Sequence, residues 1–203
     1  YKITCEEMGY HYDSAVKVIT IPSEEQYRDA KASLGDDEDT LTGYFEDIVR
    51  NIVGEINMLY SLSGNSNIVG YQDHQVIKKK DTMGWDVLIR MELVTSLPKY
   101  LESHRFSREQ VIQLGLDICT ALELCSKKGI IHRDIKDENI FISKDGLFKL
   151  GDFGIAKELS GTGRAASMRG TPLYMAPEVY RGEKYDAAVD IYSLGIVLYK
   201  LLN

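Results

Sequence analysis

The sequence lacks any long uncharged apolar run. No stretch of about 18 consecutive apolar residues occurs, which is the length a helix needs to cross a membrane. The first residues also lack the basic segment followed by an apolar segment that is typical of a signal peptide. We therefore expect these residues to carry neither an anchor nor a secretion signal, and we expect a cytoplasmic location.

Positive charge is outnumbered by negative charge. The chain has 24 Lys and Arg residues against 31 Asp and Glu residues, and its formal net charge is -7. Nucleic acids and anionic membrane surfaces favour proteins with a basic face. The composition argues against a general nucleic-acid or membrane-surface binder, so any phosphate chemistry must depend on local positive charge.

Cysteine is also scarce, with Cys5, Cys119 and Cys125 as the three examples in 203 residues. An odd number without regular spacing fits neither a disulfide framework nor a metal site. The last two lie within an apolar helical pattern. We expect a reducing compartment and free, buried thiols rather than a bridge or a metal ligand.

The first half of the chain has clear apolar patterns. An apolar content of 44% in 203 residues is enough for one large domain or two small lobes. The β-branched runs at residues 15–21 and 86–94 predict strands. Apolar residues recur at helical spacing over 44–62, which predicts an amphipathic helix. The polar, acidic segment 22–43 before it is interpreted as a solvated insertion, with partner binding as the alternative.

The second half alternates helices with short strands. One apolar face over residues 107–128 predicts a helix. Short apolar runs at 140–142 and 147–150, separated by the sequence KDG, predict two strands joined by a turn. Residues 187–202 are apolar on nearly all sides, which predicts a buried central helix that reaches the end of the sequence without a stop signal.

Charge is concentrated at residues 129–143, GIIHRDIKDENIFIS, between the predicted helix and strand. A loop at this place can present Asp134, Lys136 and Asn139, whereas a packed core would penalise their burial. Asp152 follows the next strand and adds a carboxylate at a strand end. Amide and carboxylate oxygens are the hard ligands that Mg²⁺ prefers. The pattern predicts an open polar site with a magnesium ion.

HRDIKDEN followed by DFG resembles the catalytic loop and metal loop of eukaryotic-type (Hanks-type) serine/threonine protein kinases. The order of AVK, a helix with a glutamate, RMELV, these two motifs, APE and DIYSLG agrees over nearly the whole chain. The resemblance implies an α+β, bilobal fold, truncated at both ends. A small β-rich N-lobe with one helix would span 1–94, and a mainly helical C-lobe would span 95–203. The family's glycine-rich loop is expected upstream of Tyr1.

The resemblance also implies catalytic roles. Asp134 would orient the substrate hydroxyl and accept its proton, and Lys136 would neutralise the transferring phosphoryl group. Asn139 and Asp152 would hold Mg²⁺. Thr171, in GTPLYMAPE, would bridge Asp134 and Lys136. The simpler alternative is that the two aspartates are solvated turn residues.

Lys17, in AVK, would bind the phosphates of ATP and pair with a glutamate of the helix at 44–62. Helical spacing places Glu46 and Glu55 similarly at the edge of the apolar stripe, so spacing alone does not choose between them. The resemblance assigns Glu55. The insertion at 22–43 separates Lys17 from Glu55 more widely than is usual in the family.

The segment RMELV resembles the hinge that binds adenine. Met91 would be the gatekeeper, the Glu92 carbonyl would accept a hydrogen bond from adenine and the Val94 N–H would donate one. Ala15 and Phe141 would enclose the purine ring. As an alternative, Met91 and Phe141 are ordinary core residues, and both interpretations can hold together.

Regulation is implied by Arg133, which precedes the catalytic aspartate in kinases whose loop is ordered by phosphorylation. The glycine-rich, aperiodic segment 154–171 is predicted to be that loop, although its polar residues have a purely structural alternative. The candidate phosphorylation sites are Ser160, Thr162 and Ser167. His132 is expected to be a core histidine beneath Phe153.

Lys136 and GTPLY match serine/threonine rather than tyrosine kinases. Asp137 stands where the family commonly has proline, which we expect to cost loop rigidity. The expected function is ATP- and Mg²⁺-dependent phosphorylation of Ser and Thr in protein substrates, the chain itself included, with little activity in the isolated chain.

Two alternatives belong to other classes of protein. A pseudokinase, acting as a nucleotide-binding or scaffolding module, usually lacks one of the residues that correspond to Lys17, Asp134, Asn139 and Asp152. All four are present. A small-molecule kinase of related fold would lack the segment that ends in APE.

Overall fold

The computed structural model describes residues 1–153 and 172–203. The described chain forms two compact units. The first unit consists of residues 1–61 and 71–93, and the second of 62–70, 94–153 and 172–203. Within these ranges, none of the helices combines the length and apolar character required to span a membrane.

The first unit is a sheet covered by a helix. Its elements are β1 (Lys2–Glu7), β2 (Tyr10–Ile21), α1 (Glu24–Leu34), α2 (Glu38–Ser61), β3 (Tyr71–Lys78) and β4 (Trp85–Glu92). The strands are antiparallel in the order β1-β2-β4-β3. Alternate residues are buried towards the end of β2 and the start of β4. Ile19 of β2 and Ile89 of β4, for example, belong to the same core as Phe45, Ile52 and Ile56 of α2. The helix contributes residues at three- and four-residue spacing, as an amphipathic helix must.

The insertion contains a helix, so the expectation of one helix in this unit is wrong. Ser23 caps α1: its Oγ accepts a hydrogen bond from the Gln26 N–H at 3.2 Å, and Gln26 Oε1 accepts one from the Ser23 N–H at 2.8 Å. The Tyr27 ring stacks on Phe45 of α2, with ring centroids 6.4 Å apart. Because Ala30 is the buried residue of α1, the apolar periodicity that identifies a helix is almost absent from its sequence.

The second unit is mainly helical. Its elements are β5 (Thr95–Ser96), α3 (Leu97–Leu101), α4 (Arg108–Lys127), β6 (Ile140–Ile142), β7 (Phe148–Leu150), α5 (Pro177–Tyr180) and α6 (Ala188–Leu202), with 3-10 turns at Asp137–Asn139 and Pro172–Tyr174. The strands form an antiparallel sheet in the order β5-β6-β7. Helices α4 and α6 approach closely at Gly115, where an added Cβ would lie 3.3 Å from Leu198 Cδ1.

Helix α6 is not buried on all sides, contrary to the prediction. One face is buried through Val189, Asp190, Leu194 and Val197. The opposite side leaves four apolar residues exposed, namely Ile191, Tyr192, Tyr199 and Leu202. The described part of the chain does not cover this face, and composition alone could not reveal that.

All three cysteines are free, as predicted. Cys125 is buried, and burial raises the pKa of its thiol to about 11, which keeps it protonated and unreactive at neutral pH. Cys5 and Cys119 are exposed, so the prediction of buried thiols is wrong for these two. Cys119 occurs within α4 but does not belong to its buried face.

Candidate active site

A buried acid on α6 holds the start of the charged loop. Asp190 accepts hydrogen bonds from the backbone N–H groups of His132 and Arg133, both at 2.8 Å. Arg133 has a φ of 62°, which residues other than glycine rarely adopt. The two hydrogen bonds to a charged acceptor stabilise this conformation. The sequence pattern included DIYSLG but did not reveal this role, although an acid in an otherwise apolar helix was the available signal.

His132 is a buried core histidine, as predicted. Its ring centroid lies 4.7 Å from that of Phe153, and its Nε2 lies 3.1 Å from the Gly151 carbonyl oxygen. The Asp134 N–H donates to Nδ1 at 3.3 Å, so the proton of the neutral ring belongs on Nε2. Burial lowers the pKa of His132, and the nearby carboxylate of Asp190 opposes this only in part. The ring is therefore neutral at physiological pH and packs rather than titrates.

The three predicted catalytic residues of the loop lie together. The Asp134 side chain is 8% exposed, and its Oδ2 accepts a hydrogen bond from Asn139 Nδ2 at 2.7 Å. The Lys136 ammonium lies 3.4 Å from the same oxygen. The carboxylate is thus oriented by an amide and a cation. This arrangement places a proton acceptor next to a positive charge.

Asn139 is fixed by two hydrogen bonds from one amide nitrogen. Its Nδ2 also donates to the Asp134 main-chain carbonyl, at 2.8 Å. Because a carbonyl oxygen can only accept, this contact sets the amide orientation and turns Oδ1 to the other side. The Asn139 carbonyl accepts a hydrogen bond from the Gly151 N–H at 3.0 Å. Gly151, the residue before Asp152, is therefore hydrogen-bonded directly to Asn139.

The neighbours of Gly151 leave no room for a side chain at this position. A Cβ at this position would lie 2.7 Å from Val69 Cγ2 and 2.9 Å from Phe141 Cε2, closer than real Cβ contacts occur. Asp152 follows with a φ of 54° and is exposed. The motifs alone predict no role for Gly151, although a glycine directly before a functional acid is a recognisable signal for close packing.

The donor atoms fit a magnesium ion. Asn139 Oδ1 and the Asp152 carboxylate are hard oxygen donors, and Mg²⁺ uses few protein ligands and keeps several waters. Across residues 1–153 and 172–203, no three or more His, Cys, Asp or Glu side chains gather as a denser metal site would require. The sparse oxygen set is the kind that binds Mg²⁺ together with a phosphate ligand.

In the first unit, several predicted nucleotide-binding residues share one part of the sheet. Ala15 of β2 pairs with Met91 of β4, and Ser14 pairs with Glu92. Lys17 pairs with Ile89 and is half-buried. Because side chains alternate along a strand, Ala15, Lys17 and Met91 lie on one face of the sheet.

The two candidate glutamates of the helix, Glu46 and Glu55, differ in their surroundings. Glu46 forms an exposed ion pair with Lys78 at 3.3 Å. Glu55 is half-buried and lies between the buried residues Ile52 and Ile56 of α2. Lys17 and Glu55 both belong to the first unit. The pairing of Lys17 with Glu55 is the one that the resemblance implies.

The remaining predicted residues lie in the second unit or outside the described residues. Val94 is the first residue of the segment 94–153 of the second unit, and Phe141 lies in β6, paired with Lys149 of β7. The Arg133 guanidinium lies 6.0 Å from the centroid of the Tyr185 ring. Thr171 and the three candidate phosphorylation sites, Ser160, Thr162 and Ser167, lie outside the described residues.

The family model described as "Protein kinase domain" matches residues 31–203. The chain belongs to the protein kinase domain family. The β-rich first unit and the helical second unit agree with the α+β fold of protein kinases, which confirms the predicted fold class.

Three curated relatives of this kinase domain illustrate the similarity. The probable serine/threonine-protein kinase nek3 of Dictyostelium discoideum is 38% identical over 160 residues, which cover 73% of this chain and 14% of that protein. The probable serine/threonine-protein kinase CPE1738 of Clostridium perfringens is 35% identical over 160 residues, covering 78% and 23%. Serine/threonine-protein kinase Nek9 of Mus musculus is 36% identical over 169 residues, covering 80% and 16%. The chain therefore spans less than a quarter of each of these relatives.

Proposed function

We propose that this kinase domain transfers the γ-phosphoryl group of ATP to serine and threonine hydroxyls of protein substrates. The observation that carries the proposal is the gathering of Asp134, Lys136 and Asn139 in one loop, with the Asp134 carboxylate held at 2.7 Å by Asn139 and at 3.4 Å from the Lys136 ammonium. Relatives named serine/threonine kinases support the same activity. Nothing in these residues favours the pseudokinase alternative, since all four of its diagnostic positions are intact.

The residues of the loop have separate tasks in this reaction. Asp134 orients the acceptor hydroxyl and takes its proton as the oxygen attacks the γ-phosphorus. Lys136 stabilises the negative charge of the transferring group. A new oxygen–phosphorus bond forms, the bond to the bridging oxygen of ATP breaks, and that electron pair leaves with ADP. Catalysis of this kind depends on positioning and charge neutralisation, which is what the loop provides.

Asn139 and Asp152 are the proposed ligands of Mg²⁺. When bound, the ion neutralises charge on the phosphates of ATP. In the first unit, Lys17 is assigned to the phosphates, with Glu55 as its partner. Adenine binding is assigned to the remaining predicted cofactor residues, Ala15, Met91, Glu92, Val94 and Phe141.

Serine and threonine are the proposed acceptors because Lys136 and the GTPLY segment with Thr171 match that class of kinase. Substrates are proposed to be proteins, including a second copy of the protein in autophosphorylation, and the proposed location is the cytoplasm. Full activity is proposed to reside in the longer protein, with a lower rate in the isolated 203-residue chain.

The proposal is tested by phosphate transfer from radiolabelled ATP to Ser, Thr and Tyr protein acceptors. The full-length protein that contains this chain is compared with its Asp134→Asn variant. We expect labelling of Ser and Thr acceptors with Mg²⁺, and a loss of at least about 100-fold in the variant, since a positioned general base contributes that much. ATP binding, measured by calorimetry, is expected to stay within about twofold because Asp134 orients the acceptor rather than the nucleotide.

A matched control is Asp145→Asn, which removes an exposed carboxylate from the turn between β6 and β7. Its transfer rate is expected to equal that of the unsubstituted protein. Undiminished transfer in Asp134→Asn would remove this residue from the mechanism. ATP binding without transfer by the unsubstituted protein would instead support the pseudokinase alternative.

A further inference from the structure

Three polar side chains from three segments of the second unit meet beside the catalytic loop. Lys200 Nζ, on α6, lies 2.6 Å from Asp137 Oδ2. The Tyr174 hydroxyl donates to Asp137 Oδ1 and accepts from Lys200. The Lys200 ammonium also lies 4.8 Å from the centroid of the Tyr174 ring. We call these residues the 137–174–200 cluster.

The cluster is partly shielded from water. The Tyr174 residue is 7% exposed, whereas the Asp137 and Lys200 side chains are 24% and 39% exposed. Charge-assisted hydrogen bonds are stronger and more directional than neutral ones, and partial burial reduces their screening. An exposed ion pair alone typically contributes little, but this pair has a third partner in the buried Tyr174.

The cluster connects the catalytic loop to α6. Asp137 begins the 3-10 turn Asp137–Asn139, directly after Lys136. The turn is closed by the Asn139 N–H, which donates to the Lys136 carbonyl at 3.0 Å. Tyr174 is itself fixed to α6, because its carbonyl accepts a hydrogen bond from Ser193 Oγ at 2.6 Å. Residues on both sides of Asp137 belong to the proposed catalytic machinery, so an anchor at Asp137 constrains them directly.

An anchor has a physical purpose at this position. Asp137 stands where related kinases commonly have proline, whose ring restricts φ. Aspartate leaves the backbone free to rotate, so the loop loses that local restraint. The ion pair and the tyrosine hydroxyl supply a restraint through the side chain instead. Tyr174 and Lys200 lie 37 and 63 positions after Asp137 in the sequence, and their contacts with it oppose the expected loss of loop rigidity.

We propose that Lys200 and Tyr174 are positioning residues that hold Asp137, and through it Lys136 and Asn139, in the geometry required for phosphoryl transfer. This inference rests on the proposed function. Lys200 lies on α6, outside the catalytic loop, and in the described contacts it touches none of the proposed catalytic residues. Its effect on the chemical step is therefore exerted through Asp137.

The first test is a double-mutant cycle on the full-length protein. Lys200→Met and Asp137→Ala are each expected to lower kcat about five- to tenfold, with the KM for the protein acceptor unchanged, because coupled side chains typically act by that amount. The double variant is expected to be no slower than either single variant. Lys200→Arg keeps the charge and the donors, so most of kcat is expected to remain. Tyr174→Phe is expected to give a smaller loss.

The second test replaces the aspartate by proline. Lys136 has φ -162° and ψ 169°, the extended conformation that a residue before proline prefers. Asp137 is the first residue of the 3-10 turn, where the backbone N–H has no partner within the turn and proline is well tolerated. Asp137→Pro is therefore expected to recover kcat relative to Asp137→Ala, because it restores the restraint without the carboxylate.

The third test separates this inference from the proposed function. Hydrogen exchange of the backbone over residues 134–142, measured without ATP, is expected to be faster in Lys200→Met than in the unsubstituted protein. If the unsubstituted protein transfers no phosphate, the proposed function fails, whereas the exchange rates still decide whether the cluster restrains the loop. Lys127→Met is the control, since it breaks an exposed pair with Glu123 at 2.5 Å on α4. It is expected to change neither kcat nor exchange.

Three results would overturn the inference. One is unchanged kcat and unchanged exchange in Lys200→Met. Another is an increase in the acceptor KM alone, which would mean that the cluster binds substrate directly. The third is an Asp137→Pro variant as slow as Asp137→Ala, which would mean that the carboxylate acts by some route other than restraint of the loop.

Discussion

Single residues in the second unit fix the proposed site through contacts that are distant in sequence. Asp190 binds the N–H groups of residues 57 and 58 positions earlier, and it thereby stabilises the left-handed backbone of Arg133. Asn139 orients Asp134 and binds Gly151 through its carbonyl. The geometry of the loop therefore depends on residues outside the catalytic motif as much as on residues within it.

Gly151 permits a test of this packing. Gly151→Ala would place a methyl group 2.7 Å from Val69 Cγ2 and 2.9 Å from Phe141 Cε2. We expect this overpacking to lower the free energy of unfolding by about 1–3 kcal/mol. Because Asp152 follows directly, phosphate transfer is also expected to fall. Urea denaturation followed by circular dichroism measures the first effect.

The control for this substitution is Gly195→Ala in the same unit. Gly195 lies in the exposed part of α6, and an added Cβ would meet nothing within 4 Å. Alanine in a helix interior is expected to stabilise by up to about 1 kcal/mol relative to glycine. Equal stability of the two variants would show that the space at Gly151 is not required.

At the scale of residues, the sequence predicts the site residues that lie together in short motifs. Asp134, Lys136, Asn139 and Asp152 lie in short motifs, and the structure brings the first three into contact. The anchoring roles of Asp190 and Lys200 were not predicted. Their partners lie far away in the sequence, so no spacing pattern connects them. Only the fold brings these charges together.

Elements with strong apolar periodicity are predicted well. The helix expected at residues 107–128 is α4, Arg108–Lys127, and it begins at a capping box formed by Ser107 and Gln110. The strand expected at 140–142 is β6. Helix α1 was not predicted because Ala30 is its buried residue and its remaining residues are polar. Its stability must come largely from its cap and its contact with α2.

The capping box of α1 is the feature to test at the scale of elements. Ser23→Ala removes the acceptor for the Gln26 N–H and is expected to destabilise α1 by about 1 kcal/mol. Hydrogen exchange over residues 24–34 should therefore become about fivefold faster, because 1.4 kcal/mol corresponds to a factor of ten in an equilibrium.

Ser33→Ala in the last turn of the same helix is the matched control. The Ser33 hydroxyl donates to the Asp29 carbonyl at 2.8 Å, a contact that does not support a helix. Exchange is expected to stay the same or become slower, since alanine has the higher helix propensity. If hydrogen exchange became equally faster in both variants, the effect would come from the loss of a surface hydroxyl in general and not from the loss of the cap.

At the scale of the whole molecule, the order of motifs predicts the α+β class but not which segments join each unit. Residues 62–70 belong to the second unit, although α2 before them and β3 after them both belong to the first. Their backbone explains this, because the Leu150 N–H donates to the Asn67 carbonyl at 2.8 Å and the Val69 N–H donates to the Leu150 carbonyl at 2.9 Å. Such parallel bridging across the chain has no local sequence signal.

Asn139 and Asp152, which are separated in sequence, are proposed to bind one divalent ion together with ATP. The most direct measurement is NMR of the isotope-labelled 203-residue chain during titration with Mn²⁺ in the presence of ATP. We expect the amide signals of Asn139 and Asp152 to broaden together at low Mn²⁺, and excess Mg²⁺ to restore them. Broadening of the signals of the exposed acidic residues 36–39 instead, with those of Asn139 and Asp152 unaffected, would show that these two residues do not bind the ion.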